Sequence, residues 1–139
     1  MGFLDQYDQQ SWGFNRLAKA VGWVLLAGVI AYSIFWLFFR NWREERTTKE
    51  FLALLQQARY EQAYRKWGCT PEKPCRFYPY DDFLEDWGPD SPIGAVKSFS
   101  LGRSYTQTNG VIIEVEVNGK KQPNLWVEKG TEQIGFFPY

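Results

Sequence analysis

The most regular hydrophobic pattern in the chain is one uninterrupted apolar segment. Residues 21–39 include no charged side chain, and Arg40 follows them directly. A helix of this length spans roughly 28 Å at 1.5 Å per residue, which is close to the hydrocarbon thickness of a bilayer. The pattern therefore predicts a transmembrane helix over residues 21–39.

Two other interpretations of this segment are a buried core helix and a cleaved signal peptide. A core helix of this length normally has a polar face, and a signal peptide has a shorter apolar region followed by small residues. Phe38, Phe39 and Arg40 end this segment and form no such cleavage site. We therefore expect the anchor to stay attached.

Aromatic and basic residues lie near both ends of the apolar segment, where such side chains favour the membrane–water interface. The expected interface residues are Trp12, Trp23, Trp36, Arg40, Trp42 and Arg43. Residues 1–20 carry apolar positions at roughly helical spacing, which predicts an N-terminal tail or an interfacial helix that leads into the span.

Small residues recur along one face of the predicted span. They are Ala20, Ala27, Gly28 and Ala31. Small side chains let a second helix approach closely, and this close packing holds helices together in lipid. We expect this face to pack against transmembrane helices of another protein.

After the span, the pattern changes to a charged segment and then to amphipathic helices. We expect a charged juxtamembrane linker over residues 40–47 and a domain over residues 48–139. Thr47 and Glu50 have the spacing of a capping box, so a helix is predicted to begin there. Its pattern is interrupted near Arg59 and resumes as a shorter helix that ends at Gly68.

A third helical pattern lies within residues 79–89. Asp82 and Glu85 again have capping-box spacing, and Phe83 and Trp87 are expected to face the core. The acids of this region lack the alternating spacing and central glycine of a calcium loop. We interpret them as residues of a helix N-terminus, where negative charge is favourable.

The remaining third of the chain alternates between apolar and polar residues. Asn118-Gly119 is a strong hairpin signal, because both positions of a type I′ turn need positive φ. The predicted strands lie within residues 96–107, 111–117, 125–127 and 134–139. Helices followed by an antiparallel meander place the domain in the α+β class, with helices packed on a four-stranded sheet.

Cys69 and Cys75 flank a short loop that contains two prolines. Three interpretations are open: a disulfide, two free buried thiols and a metal site. Two thiolates with no histidine or further cysteine leave half of a zinc shell unfilled. We prefer the disulfide and expect no metal.

Composition narrows the possible chemistry. The chain has no histidine, which excludes Ser-His and Cys-His catalysis and the common axial ligand of haem. From Arg40 onward the domain is formally neutral, whereas a nucleic-acid binder normally has a basic excess. Aromatic residues make up 19% of the chain, more than a small interior needs, so we expect some of them to contact lipid or protein.

The order of these elements resembles the NTF2-like (cystatin-like) fold, and more narrowly that of small membrane-anchored bacterial proteins with one such domain. The similarity covers about residues 48–139. The residues that carry it are Tyr60-x-x-Ala63-Tyr64, Phe83, Trp87-Gly88 and Trp126-Val127-Glu128. The resemblance implies a cone-shaped cavity, in which enzymes of the family usually pair an Asp with a His or a Tyr. This chain lacks the histidine.

The side of the membrane on which the domain lies is indicated by two opposing signals. Two basic residues precede the span closely and four follow it, which favours a cytoplasmic domain by the positive-inside rule. A disulfide persists only in an oxidising compartment. We favour a bacterial inner-membrane protein with a periplasmic domain.

We expect a non-catalytic, single-pass accessory subunit that docks on a larger membrane complex and stabilises it. Its expected partners are membrane lipids and the transmembrane helices of an electron-transport or photosynthetic assembly, with no cofactor and no nucleic acid. The alternative is a membrane-tethered ligand-binding or enzymatic NTF2-like domain. Its cavity would be lined by Tyr64, Tyr78, Tyr80, Asp81 or Asp82.

Overall fold

The computed structural model describes residues 5–137 of the chain, with side chains from Gly13 onward. The chain divides into two compact units, Met1–Arg40 and Asn41–Tyr139. The first contains helix α1 (Asp5–Phe39). The second contains α2 (Trp42–Gln56), α3 (Tyr60–Arg65), α4 (Tyr80–Trp87), β1 (Phe99–Thr106), β2 (Gly110–Val117), β3 (Lys120–Lys121), β4 (Leu125–Glu128) and β5 (Ile134–Phe136). The predicted α+β class is confirmed.

Helix α1 is longer than the predicted span. Residues 5–20, expected as a tail or a separate interfacial helix, are continuous with residues 21–39, and residues 1–4 lie outside the described part. No proline interrupts this stretch, so the helical hydrogen bonds continue through it. By length and composition, α1 is able to cross a membrane.

Helix α2 begins earlier than predicted, because residues 42–47 are helical and do not form a linker. Glu44 and Glu45 lie in its first turn, where the helix dipole favours negative charge. The predicted capping box is therefore wrong, since Thr47 is already inside the helix. The hydroxyl of Thr47 instead donates to Glu132 Oε2 at 3.1 Å.

The predicted bend and second helix are confirmed. Ala58 has φ 56° between α2 and α3, and Gly68 ends the helical region with φ 81°. The Asp82–Glu85 capping box is wrong, because α4 begins at Tyr80, directly after Pro79, and has no side-chain cap.

The sheet is antiparallel, with strand order β1-β2-β4-β5 and β3 paired to the end of β2. Asn118 and Gly119 have φ 52° and 74°, as the predicted turn requires. The returning strand is divided at Pro123, which lacks an N–H for the ladder. The predicted third strand, residues 125–127, corresponds to β4, and the additional strand β3 was not predicted, so the sheet has five strands. In β1 the register shifts between Leu101 and Ser104.

The core lies between the helices and one face of the sheet. Alternate residues of β2 are fully or almost fully buried, as the sequence predicts, and they share the core with the apolar sides of α2, α3 and α4. Those β2 residues are Val111, Ile113, Val115 and Val117. The helices therefore pack on the sheet through a continuous apolar layer.

The first testable prediction concerns the centre of this layer. Phe51 has no exposed surface and contacts three other aromatic rings. We expect Phe51→Ala to lower the free energy of unfolding by about 3 to 5 kcal/mol, through lost burial and the cavity that is left. Denaturation of the full chain in detergent, followed by tryptophan fluorescence, measures this change.

The matched control for Phe51→Ala is Phe77→Ala. It removes the same ring from a position that is 88% exposed. We expect the control to change the unfolding free energy by less than about 0.5 kcal/mol. Equal losses in the two variants would contradict the assignment of the core.

Candidate functional site

The interior of the domain, where the resemblance implies a cavity, contains closely packed aromatic rings. The ring of Phe51 meets those of Trp67, Phe83 and Trp87 edge to face, with centroid distances of 6.2, 6.3 and 5.3 Å. Tyr64 packs on Phe83 at 5.2 Å. Such ring pairs add about 0.5–1.5 kcal/mol each beyond the area that they bury. These side chains occupy the space between the helices and the sheet.

Two of the tyrosines expected to line a cavity have structural partners. Tyr64 is fully buried; its hydroxyl donates to the carbonyl of Tyr78 at 2.7 Å and accepts from the N–H of Cys75 at 3.0 Å. The Tyr78 hydroxyl donates to Asp86 Oδ2 at 2.7 Å. Burial, and then the neighbouring carboxylate of Asp86, raise the pKa of Tyr78. Both hydroxyls therefore form structural hydrogen bonds, Tyr64 with the backbone of Cys75 and Tyr78, and Tyr78 with Asp86 of α4.

The remaining expected cavity residues lie nearer the surface. Tyr80 is half-buried, and Asp81 and Asp82 are exposed on α4. The helical period turns Phe83 and Trp87 to the core and these carboxylates to water. The five residues of the alternative hypothesis therefore do not converge on one pocket. Within the described residues, no group of three acidic, cysteine or histidine side chains is arranged to hold a metal ion.

Cys69 and Cys75 form a disulfide with 5.4 Å between their Cα atoms, as the preferred interpretation predicts. Beyond it, Cys75 and Tyr78 form an isolated antiparallel bridge. Phe77 projects outward between them and is 88% exposed, with the guanidinium of Arg76 5.2 Å from its ring centre.

No local pattern in the sequence marks Phe77 as exposed. It lies in a turn closed by the Cys75–Tyr78 bridge, and the side chains of such a turn have no periodicity from which their burial could be predicted.

Two carboxylates connect distant parts of the domain to helix α2. Glu132, in the turn between β4 and β5, binds Arg43 and accepts from Thr47, and Glu50 accepts from Lys66 at 2.8 Å. Arg43 lowers the pKa of Glu132, and Lys66 lowers that of Glu50. No local sequence pattern predicts these pairs, because the contacts of Glu132 span 85 and 89 residues along the chain.

The predicted interface residues are exposed where the structure describes their side chains. Trp23, Trp36 and Trp42 expose 71%, 51% and 50% of their surfaces. The guanidinium of Arg40 lies 5.2 Å from the ring centre of Trp36. The side chain of Trp12 lies outside the described part, and Arg43 binds Glu132 as described above.

The small residues expected to pack against another helix are all exposed on α1. They are Ala20, Ala27, Gly28 and Ala31. The large apolar side chains of residues 21–39 are also exposed, each over about half of its surface or more. The helix therefore presents apolar surface around its circumference, as a helix in lipid does.

These features define a class of protein: a small α+β domain with a closely packed aromatic core, preceded by one long apolar helix. Comparisons with models of protein families, with curated proteins and with solved structures found no match.

The ion pairs of Glu132 and Glu50 predict a pH dependence of stability. Both carboxylates have a lowered pKa in the folded chain, so they stabilise it fully above the ordinary glutamate value of 4.5. This contribution is lost as the pH falls through the lowered value. We expect Glu132→Gln to be less stable than the wild type at neutral pH, by at most about 1 kcal/mol because the pair is exposed. Urea denaturation at stepped pH should show this difference vanish in acid.

Glu116→Gln is the matched control for the pH series. Glu116 is a half-buried carboxylate of β2 with no ion pair among the described residues. A difference between wild type and Glu132→Gln that stayed constant down to acid pH would contradict the assigned ion pair.

The disulfide gives a further prediction. Closing a loop between cysteines six positions apart stabilises a fold by about 2 kcal/mol on the chain-entropy model. We expect Cys69→Ser/Cys75→Ser to lose about that amount of unfolding free energy. Treating the wild type with dithiothreitol should produce the same loss, and the double variant should not respond. Identical denaturation curves with and without the reductant would argue against a stabilising disulfide.

Proposed function

We propose that this protein is a non-catalytic, single-pass accessory subunit that docks on a larger membrane protein complex and stabilises it. Helix α1 stays attached to the mature protein, spans the bilayer and packs against transmembrane helices of the complex. The domain binds an exposed surface of the same complex.

The observation that carries this proposal is the aromatic packing of the domain interior. Phe51, Phe83 and Trp87 pack together in the interior, where the resemblance to the NTF2-like fold implies a cavity. A domain with such an interior interacts through its surface, and this favours association over catalysis. The membrane-tethered ligand-binding or enzymatic function remains the alternative.

The exposed side chains of α1 support the membrane part of the proposal. Its apolar segment exposes large side chains whose transfer out of water contributes roughly 25 cal/mol per Å². Once both partners are in one membrane, the anchor raises the effective concentration of the domain beside its target. A modest contact area of the domain is then sufficient for stable association.

We further propose a bacterial inner-membrane location with the domain in the periplasm. The disulfide supports an oxidising compartment. The order of helices before an antiparallel meander supports an NTF2-like assignment of the domain. We propose that the larger complex is an electron-transport or photosynthetic assembly.

Gentle detergent extraction from native membranes, followed by size separation, tests the proposed function. We expect the chain to co-migrate in fixed stoichiometry with one large complex, whose components would identify the process that it serves. Migration of the wild-type chain alone as a monomer would overturn the proposal.

The same extraction experiment tests the face of α1 that carries Ala20, Ala27, Gly28 and Ala31, here called the small face. Gly28→Leu places a bulky side chain on that face, where no described residue fills the space. We expect it to lower the fraction of chain that co-migrates with the complex by about tenfold or more, because helices in lipid associate by close packing.

Gly22→Leu is the matched control for Gly28→Leu. Gly22 lies on the same helix, also has open space at its Cβ position, and points roughly 180° from the small face. Both substitutions gain similar helix propensity, so only the packing differs. Equal loss of association in both variants would show that the small face is not the contact.

A further inference from the structure

Phe77 is the most exposed large apolar side chain in the described part of the domain. Phe77, Trp42 and Tyr105 are the large apolar residues exposed there, and they expose 88%, 50% and 41% of their surfaces. Burying a phenylalanine ring is one of the most favourable single contributions to association, and aromatic residues are enriched among the anchors of interfaces. A ring so fully in water is therefore a candidate anchor.

The position of Phe77 is fixed before any partner binds. The disulfide and the Cys75–Tyr78 bridge hold the segment on one side, and Pro79 holds it on the other with φ −64°. The buried Tyr64 hydroxyl bonds to the backbone of both Cys75 and Tyr78. Little backbone entropy is then lost on binding, and such preorganisation increases affinity.

The chain that follows Phe77 carries a concentrated negative charge. Residues 77–90 contain five acidic and no basic residues. All five acids are exposed, and none forms an ion pair with any described residue. They are Asp81, Asp82, Glu85, Asp86 and Asp90. The domain as a whole is neutral from Arg40 onward, so this charge is concentrated in one segment. The Tyr78 hydroxyl donates to Asp86 Oδ2 at 2.7 Å, so the turn that carries Phe77 and Arg76 lies beside α4.

We propose that Phe77 and the exposed acids of residues 81–90, here called the Phe77–α4 face, form the docking surface of the domain for a protein partner. The partner surface that fits is an apolar pocket for one aromatic ring, bordered by lysine or arginine residues. This inference rests on the proposed function, because it names the part of the domain that contacts the complex.

The negative charge of residues 81–90 favours a basic protein surface over two other binding partners, an anionic lipid surface and a second copy of this chain. An anionic lipid surface would be repelled by five carboxylates, none of which forms an ion pair with a described residue. A second copy that presented the same face would place like charges opposite each other, which opposes association. A basic protein surface pairs with the acids and accelerates encounter at low salt.

A photo-crosslinking experiment tests which molecule meets the ring. Benzoylphenylalanine replaces Phe77 in the full chain, and native membranes are irradiated before extraction. We expect crosslinks to one protein of the complex that co-migrates with the chain, at a site next to lysine or arginine residues. Replacement of Tyr105 on β1 by the same reagent is the matched control, and we expect no such product from it. Crosslinks from position 77 only to lipid or to a second copy would overturn the inference.

Binding measurements test the energetic role of the ring. Complex prepared from cells that lack the chain is titrated with the purified full-length protein in detergent. We expect Phe77→Ala to weaken binding at least about tenfold, Phe77→Trp to retain most of it, and Tyr105→Ala to leave it unchanged. The unfolding curves of the variants should coincide with that of the wild type, because the rings of Phe77 and Tyr105 lie outside the core.

Salt dependence tests the role of the acids. We expect wild-type binding to weaken as salt rises. The triple variant Asp81→Asn/Asp82→Asn/Glu85→Gln should bind more weakly at low salt and show much less salt dependence. Asp86 is left unchanged because it accepts from Tyr78. Glu116→Gln, a single carboxylate on β2, is expected to keep the wild-type salt dependence.

The outcomes separate this inference from the proposed function. If the wild-type chain migrates alone, the subunit role fails. If the wild type co-migrates while Phe77→Ala and the triple variant bind as well as it does, the subunit role stands and the Phe77–α4 face is wrong.

Discussion

The packing of Phe51 against Trp67, Phe83 and Trp87 is the constraint on which the rest of the domain depends. It joins α2 to α4 and to the segment after α3, over the apolar face of β2. Because large rings occupy the interior, they connect the helices to the sheet through one continuous set of contacts.

A few polar side chains fix the loops of the domain by hydrogen bonds to their backbone. Asn118 accepts from the N–H groups of Lys97 and Ser98 and donates to two carbonyls just before them, so the segment that leads into β1 is fixed to the hairpin. Tyr64 fixes the disulfide loop in the same way. Each of these side chains bonds to backbone groups, which restrains a loop more directly than a contact between two side chains.

The sequence was sufficient for the features that depend on local patterns. The apolar span, the Asn118-Gly119 turn, the alternation of β2 and the disulfide all follow from residues close together in the chain. The start of α2 differs from the prediction, because the charged residues 42–47 are helical and the spacing of Thr47 and Glu50 does not mark a cap. Contacts such as that of Thr47 with Glu132 connect residues 85 apart, and no local pattern predicts them. The aromatic packing of the interior is a related case: the rings can be counted in the sequence, but their convergence on one space cannot be predicted from it.

The division of the returning strand at Pro123 has a consequence for contacts between copies of the domain. Strands at the edges of a sheet present unpaired backbone groups to other copies. Here β3 has only two residues, both lysines, β5 has three, and β1 carries a register shift. Short, charged or irregular edges of this kind discourage strand-to-strand aggregation. The sheet is thus protected at its margins against self-association.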